Sequence, residues 1–118
     1  MGKPAVVKIE DQYKGDTYDG VQFTILKTED NSPVDLTGVS IRSQFRFGSK
    51  TGGIQKEITN GNGITISDAF NGVFSIDSFL VDWAADFYYY DIEMTFPNGI
   101  VRTYIQGNIK VIQDVTYG

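Results

Sequence analysis

Apolar and polar residues alternate with a period of two along most of the chain. In residues 39–47, Ile41 and Phe45 lie on one side of the pattern, and Arg42 and Arg46 lie on the other. The same alternation runs through residues 88–96. Because successive side chains of a strand point to opposite faces, each run predicts a strand with one buried face and one solvated face.

Shorter apolar runs and turn dipeptides complete the pattern. Further strands are predicted at residues 6–9, 21–25, 54–58, 64–66, 73–76 and 100–111. Asn71-Gly72 and Asn98-Gly99 are typical of hairpin turns, because both residue types tolerate a positive φ. The sequence therefore predicts an all-β fold, an antiparallel immunoglobulin-like β-sandwich of seven to eight strands.

One segment departs from the period of two. Near residues 77–86, Phe79, Leu80 and Trp83 fit one face of a helix. We expect one short helical turn there, linking two strands, with a further strand as the alternative.

The Asn98-Gly99 dipeptide also predicts a register for the last hairpin. As a two-residue loop it places Ile92 opposite Ile105 and Tyr90 opposite Gly107. The apolar residues then share one face. On the other face, Tyr104 stands opposite Glu93 and is expected to be exposed. The ring of Tyr90 is expected to cover Gly107, and a bulge at this glycine is the alternative.

Length and composition limit the classes of function. The chain has 118 residues, of which 41% are hydrophobic and 21% charged, which predicts a single β-sandwich domain over residues 1–118. Residues 1–19 are polar and are expected to form an N-terminal arm or an edge strand. The sequence contains no histidine and no cysteine, which excludes thiol nucleophiles, imidazole bases and Cys/His metal sites. We therefore expect no enzymatic activity, no cofactor and no bound metal.

Charge narrows the choice of partners. The formal net charge is −5, so binding to nucleic acid is not expected. No stretch approaches the roughly 20 apolar residues of a membrane span, and a membrane partner is not expected either. The acid excess lies entirely in residues 62–118, whereas Arg42 and Arg46 share the solvated face of a predicted strand. We expect the basic and acidic regions of neighbouring copies to meet head to tail.

Two binding sites remain as alternatives. The densest group of acids is Asp77, Asp82, Asp86, Asp91 and Glu93, whose carboxylates are ligands that calcium accepts. Their spacing does not match the EF-hand loop.

Aromatic side chains offer the second alternative, a carbohydrate platform. Tyr89 falls on the solvated face and Trp83 is ambiguous. A small-molecule ligand is nevertheless not the expectation.

Six short sequence motifs, called phrases below, follow one another along the chain. They are Lys14-Gly15-Asp16-Thr17, Val34-Asp35-Leu36-Thr37-Gly38, Gly63-Ile64-Thr65-Ile66, Gly72-Val73-Phe74-Ser75-Ile76, Tyr89-Tyr90-Asp91-Ile92-Glu93 and Gly107-Asn108-Ile109-Lys110-Val111. In these phrases the chain resembles a family of short bacteriophage and prophage virion proteins with an immunoglobulin-like sandwich. The N-terminal domains of lactococcal phage upper baseplate proteins are similar.

The resemblance implies a non-enzymatic structural role in a phage particle, as a component of the tail, baseplate or adhesion device. The implied partners are other virion proteins and copies of the chain itself. The implied location is the virion, assembled in the host cytoplasm. The alternatives are a head or neck decoration protein and a carbohydrate- or calcium-binding module of a bacterial protein. The candidate assembly surface comprises Arg42, Arg46, Tyr89 and Tyr104.

Overall fold

The computed structural model describes residues 5–113, which form eleven β-strands and no helix. The strands are β1 (Ala5–Val6), β2 (Gln12–Tyr13), β3 (Thr17–Tyr18), β4 (Val21–Thr24), β5 (Ser40–Phe47), β6 (Ile54–Asn60), β7 (Gly63–Asp68), β8 (Val73–Ile76), β9 (Phe79–Leu80), β10 (Asp86–Thr95) and β11 (Val101–Ile112). The all-β expectation is confirmed, and the count exceeds the seven to eight strands predicted because several strands have only two residues.

Most strands belong to one curled sheet. Its order is β1-β11-β10-β5-β6-β7-β8-β4, with β2 also paired to β11, while β3 and β9 form a separate two-stranded sheet. The result is a β-sandwich-like fold. The purely antiparallel prediction is wrong, because β1 and β2 run parallel to β11 and β6 runs parallel to β7. Parallel strands usually need a long crossover, and the whole domain separates β1 and β2 from β11. The parallel contact of β6 with β7 covers only two residues of each strand, on either side of a two-residue connection.

The short helical turn predicted near residues 77–86 is wrong. Residues 79–83 alternate in burial: Phe79, Val81 and Trp83 face inward, and Leu80 is 58% exposed. That period of two belongs to a strand. β9 pairs with β3, and Val81 extends the pairing by donating its N–H to the carbonyl of Asp16 at 2.8 Å.

Aromatic rings fill one end of the core. Phe45 stacks on Tyr90 with a centroid distance of 5.4 Å, and Trp83 contacts Tyr88 at 4.9 Å and Phe79 at 5.6 Å. The alternation along β5 and β10 places these rings on the inner face, so the opposite face of the same strands is polar. Ring pairs of this kind contribute about 0.5–1.5 kcal/mol beyond their burial.

The β10–β11 hairpin keeps the predicted register over its inner half. Tyr88 pairs with Ile109, Tyr90 with Gly107 and Ile92 with Ile105. Nearer the turn the prediction is wrong by one residue, because Glu93 faces Thr103 instead of Tyr104. Tyr104 is the extra residue of a β-bulge on β11.

Pro97 explains the difference at the turn. A two-residue loop at Asn98-Gly99 would need a hydrogen bond from the N–H of residue 97, and proline has none. The loop therefore has three residues. Phe96 donates its N–H to the carbonyl of Ile100 at 2.8 Å, and Gly99 adopts a φ of 89°. This longer loop shifts the register by one, and the bulge at Tyr104 shifts it back.

The N-terminal segment runs along β11 and passes directly over Gly107. The N–H of Val7 donates to the carbonyl of Gln106 at 2.8 Å, and the hydroxyl of Tyr90 donates to the carbonyl of Val7 at 2.6 Å. A Cβ on Gly107 would lie 1.9 Å from the Val7 carbonyl oxygen. The glycine is therefore required by a crossing backbone as well as by the Tyr90 ring, and the register shift of this hairpin lies at Tyr104 and not at Gly107.

A side chain extends the pairing between β5 and β6. Asn60, the last residue of β6, accepts a hydrogen bond from the N–H of Ile41 at 2.7 Å. Its amide nitrogen donates to the carbonyl of Val39 at 2.8 Å. The Asn60 side chain thus makes the two hydrogen bonds that one more backbone residue of β6 would make with Val39 and Ile41.

Candidate functional site

The outer face of β5, β10 and β11 brings together three of the four residues proposed from the sequence. Successive cross-strand rows pair Glu93 with Arg42, Asp91 with Gln44 and Gln106, and Tyr89 with Arg46. Alternation requires this arrangement, because the odd positions of β5 from Ile41 to Phe45 and the even positions of β10 from Tyr88 to Met94 are in the core. The face is therefore a grid of polar side chains with Tyr89 among them.

The two arginines are engaged within the molecule. Arg42 Nη2 lies 3.2 Å from Glu93 Oε1 in a partly exposed ion pair. Arg46 donates from Nη1 to the carbonyl of Gly52 and from Nη2 to Gln44 Oε1, both at 2.8 Å. The separate basic and acidic regions expected from the sequence are thus interleaved here, because register places Glu93 beside Arg42.

The face is hollowed into a groove of about 250 Å³. Gln44, Asp91 and Gln106 line it together with the two arginines. Lys50 and Tyr89 also border it, and the loop that carries Lys50 is held by the bond from Arg46 to Gly52.

The carboxyl of Asp91 is partly desolvated within this groove. Burial raises its pKa above the usual value and the neighbouring Glu93 raises it further, while Arg42 and Arg46 oppose the rise. A carboxylate that loses hydration in this way gains more from a hydrogen-bond donor brought by a ligand.

Tyr104 is placed elsewhere, contrary to the sequence prediction. As the extra residue of the bulge it no longer faces Glu93, and it is partly buried with its ring 6.4 Å from that of Phe96. It lines a second, more apolar groove of about 420 Å³. That groove lies between the edge strand β4 and the β1–β11 edge, and Phe23 and Leu26 border it.

The residues behind the alternative sites are dispersed. Trp83 is in the core, so of the two aromatic candidates only Tyr89 is on a face. Asp77 accepts a hydrogen bond from Thr65, and Asp82 pairs with Lys14 at 3.2 Å. Within residues 5–113, no group of three or more acidic side chains is arranged to hold a metal ion. The same residues include no helix able to span a bilayer.

Sequence reasoning missed part of the groove. Gln44 lies on the outer face of a strand that alternation predicts, and Gln106 stands opposite Asp91 in the predicted register, so both were within reach. Lys50 was not, because no periodicity orients a loop residue.

No protein-family model matches the sequence, and no curated protein matches it. Among solved structures, the chain is similar to CopC from Methylosinus trichosporium OB3b, with 11% identity and a TM-score of 0.46 over 89% of this chain and 88% of that chain. A likeness of this size carries no inference about activity or ligand.

Proposed function

We propose that the chain is a non-enzymatic structural protein of a bacteriophage particle, with an immunoglobulin-like sandwich, that acts through protein–protein assembly. The tail, baseplate or adhesion device is its place in the particle. The resemblance of its ordered phrases to short virion proteins supports this role. The partners are other virion proteins and further copies of the chain.

Two of these phrases contain residues whose side chain or backbone conformation a tight turn requires. Asp35 accepts hydrogen bonds from the N–H and the hydroxyl of Thr37, at 2.9 and 2.6 Å, in the turn before β5. Gly72 has a φ of 72°, and a Cβ there would lie 2.7 Å from the carbonyl oxygen of Ile25. Residues of these two phrases therefore shape the fold, which supports the proposal of a structural role.

The observation that carries the assembly proposal is the apolar groove beside Tyr104. It lies between two sheet edges, and its border includes Leu26, which is 48% exposed. Sheet edges and exposed apolar side chains are the features through which β-proteins add a partner's extended strand. In a particle with cyclic symmetry, repeated contacts of this kind between copies close into a ring.

The arginines contribute less to this proposal than the sequence indicated. Arg42 is already paired with Glu93, so a neighbour's carboxylate would have to displace that partner. Exposed ion pairs contribute under about 1 kcal/mol each, and the contact between copies needs apolar area in addition.

The test begins with purified particles from a producing culture. Mass spectrometry of the particles should detect the chain and give its copy number, and electron microscopy should place it in the tail or baseplate. Location in the head or neck would favour the decoration-protein alternative. Particles without the chain would refute the whole proposal.

Variants then separate the two surfaces. Tyr104→Ser should fold and lose incorporation into particles, while Tyr13→Ser, an exposed tyrosine outside the groove, should incorporate normally. The double change Arg42→Glu with Arg46→Glu tests the head-to-tail charge hypothesis. Normal copy number in the folded double variant would show that the arginines do not drive assembly.

A further inference from the structure

We propose that the groove on the outer face of β5, β10 and β11 binds an uncharged oligosaccharide. The inference concerns a different surface from the apolar groove at Tyr104 and does not depend on a role in the phage particle. It rests on the hydrogen-bonding groups of one cross-strand row, on two aromatic side chains along β10 and on the balance of charge.

The central row offers the hydrogen bonds that sugar hydroxyls need. Gln44, Asp91 and Gln106 are direct neighbours across the three strands and all line the groove. A hydroxyl both donates and accepts, an amide side chain does the same, and a carboxylate accepts. In the described part of the chain, Asp91 and Gln106 form no hydrogen bond with another side chain, so these two are open to a ligand.

Gln44 has a supporting role in the same row. Its amide nitrogen donates to Glu57, and its amide oxygen accepts from Arg46. These bonds fix the guanidinium of Arg46 against the groove, and a donor that is already held in place loses less entropy when a ligand binds.

Aromatic side chains extend along β10 on the same face. Tyr89 lines the groove, and Phe87, two residues earlier, is 44% exposed with the ammonium of Lys110 5.6 Å from its ring. Side chains two residues apart in a strand are roughly 7 Å from each other on one face. The apolar C–H face of a pyranose ring can lie on such a ring, and two rings in line suit a linear chain of sugars.

The charge balance favours an uncharged ligand. The groove is bordered by three cations, Arg42, Arg46 and Lys50, and by two anions, Asp91 and Glu93. Arg42 is neutralised by Glu93, and Arg46 is bonded to Gln44 and to the Gly52 carbonyl. The three cations against two anions leave one uncompensated positive charge in the groove, which attracts a polyanion only weakly, whereas hydroxyl groups need no charge.

The test is an NMR titration of the full chain with cello-, chito- and galacto-oligosaccharides, and with oligogalacturonate as the anionic probe. At least one neutral probe should give saturable shifts confined to β5, β10 and β11. Tyr89→Ala and Gln106→Ala should each weaken that binding by about tenfold or more, which corresponds to about 1.4 kcal/mol. Tyr13→Ala, an exposed tyrosine outside the groove, should leave it unchanged.

Several results would overturn the proposal. They are no shift with any neutral probe, shifts on another face, binding of oligogalacturonate alone, and unchanged affinity in both folded groove variants. The amide spectrum of each variant reports its folding, and Gln106→Ala keeps the test decisive if Tyr89→Ala unfolds. Because the particle experiment measures incorporation and this one measures sugar binding, either proposal can fail without the other.

Discussion

The register between β10 and β11 is determined differently in the two halves of the hairpin. In the half that contains Gly107, the observed pairing is the one predicted from a two-residue Asn98-Gly99 loop, and β1 and β2 pair with the other side of β11. In the half near Pro97, the pairing is displaced by one residue until the bulge at Tyr104 restores it. In the inner half the apolar side chains of both strands share the buried face, whereas near the loop the turn chemistry displaces the register. Substitutions in each half measure how strongly its pairing is specified.

The largest effect is expected at Gly107. Gly107→Val places a side chain against the backbone of Val7 and the ring of Tyr90, so the N-terminal segment must leave β11. We expect a loss of about 3 kcal/mol in the free energy of unfolding, from overpacking together with lost hydrogen bonds. Urea denaturation measures it. Gly53→Val, where a Cβ meets nothing within 4 Å, should be nearly neutral, and equal midpoints for the two variants would contradict the account.

A smaller loss is expected from one hydroxyl in the same half. Tyr90→Phe keeps the ring and removes the hydrogen bond to the Val7 carbonyl, which should cost about 1 kcal/mol. Tyr89→Phe changes a groove tyrosine with no such bond and should leave the melting temperature unchanged. If both variants have the melting temperature of the wild type, the Tyr90 hydroxyl does not hold the N-terminal segment.

The same hydroxyl of Tyr90 should also affect how stability changes at alkaline pH. Burial raises the pKa of Tyr90 above its ordinary value near 10, and the nearby Tyr18 raises it further. Because the folded protein disfavours the phenolate, this contribution to stability is complete below about pH 10 and is lost as pH rises from there toward the folded pKa. Stability of the wild type measured from neutral to alkaline pH should fall more steeply than that of Tyr90→Phe. Parallel curves would exclude this linkage.

In the turn half, backbone conformation is expected to matter and not packing. Gly99 has a φ of 89°, and a Cβ there would meet nothing within 4 Å. Gly99→Ala should therefore cost about 1 kcal/mol through strain alone. A cost as large as that of Gly107→Val would mean that the turn is packed more tightly than described. Thermal melts of the two variants, side by side, make the comparison.

The smallest effect is expected at the point where the two halves meet. Glu93 is the first residue beyond the register shift, and its ion pair with Arg42 is partly exposed. A double-mutant cycle with Arg42→Ala and Glu93→Ala should give a coupling of about 0.5 kcal/mol that decreases with salt. Coupling above about 2 kcal/mol would show that this pair fixes the register.

The sequence was a good guide where residues are buried on one face. Alternation predicted β5 and β10, and it separated the aromatic core from the polar face that holds Arg46 and Tyr89. The inner hairpin was predicted from alternation together with the Asn98-Gly99 turn. It misled at residues 77–86, where Leu80 looked like a core residue and is exposed on a strand two residues long. A segment that short has too few residues to display its period.

The candidate site was predictable in part for the same reason. Arg42, Arg46 and Tyr89 were correctly placed on one face, because the alternation along each strand shows which face a residue occupies. Tyr104 was misplaced because one inserted residue in a bulge moves the residues beyond it to the opposite face. Parallel pairing of the N-terminal segment with β11 was out of reach, since nothing local to either segment encodes its partner. The assembly role of these residues stays a prediction.

The side chain of Asn60 has a consequence for the chemical ageing of the protein. Four Asn-Gly pairs begin at residues 60, 62, 71 and 98, and such pairs deamidate most readily because the glycine nitrogen can reach the side-chain carbonyl. The Asn60 amide is held by the backbone of Val39 and Ile41, so it cannot rotate toward Gly61 without breaking these hydrogen bonds. Within residues 5–113 the side chain of Asn62 forms no such bonds. Stored protein should therefore acquire isoaspartate at Asn62 well before Asn60, and peptide mapping of aged samples would show the order.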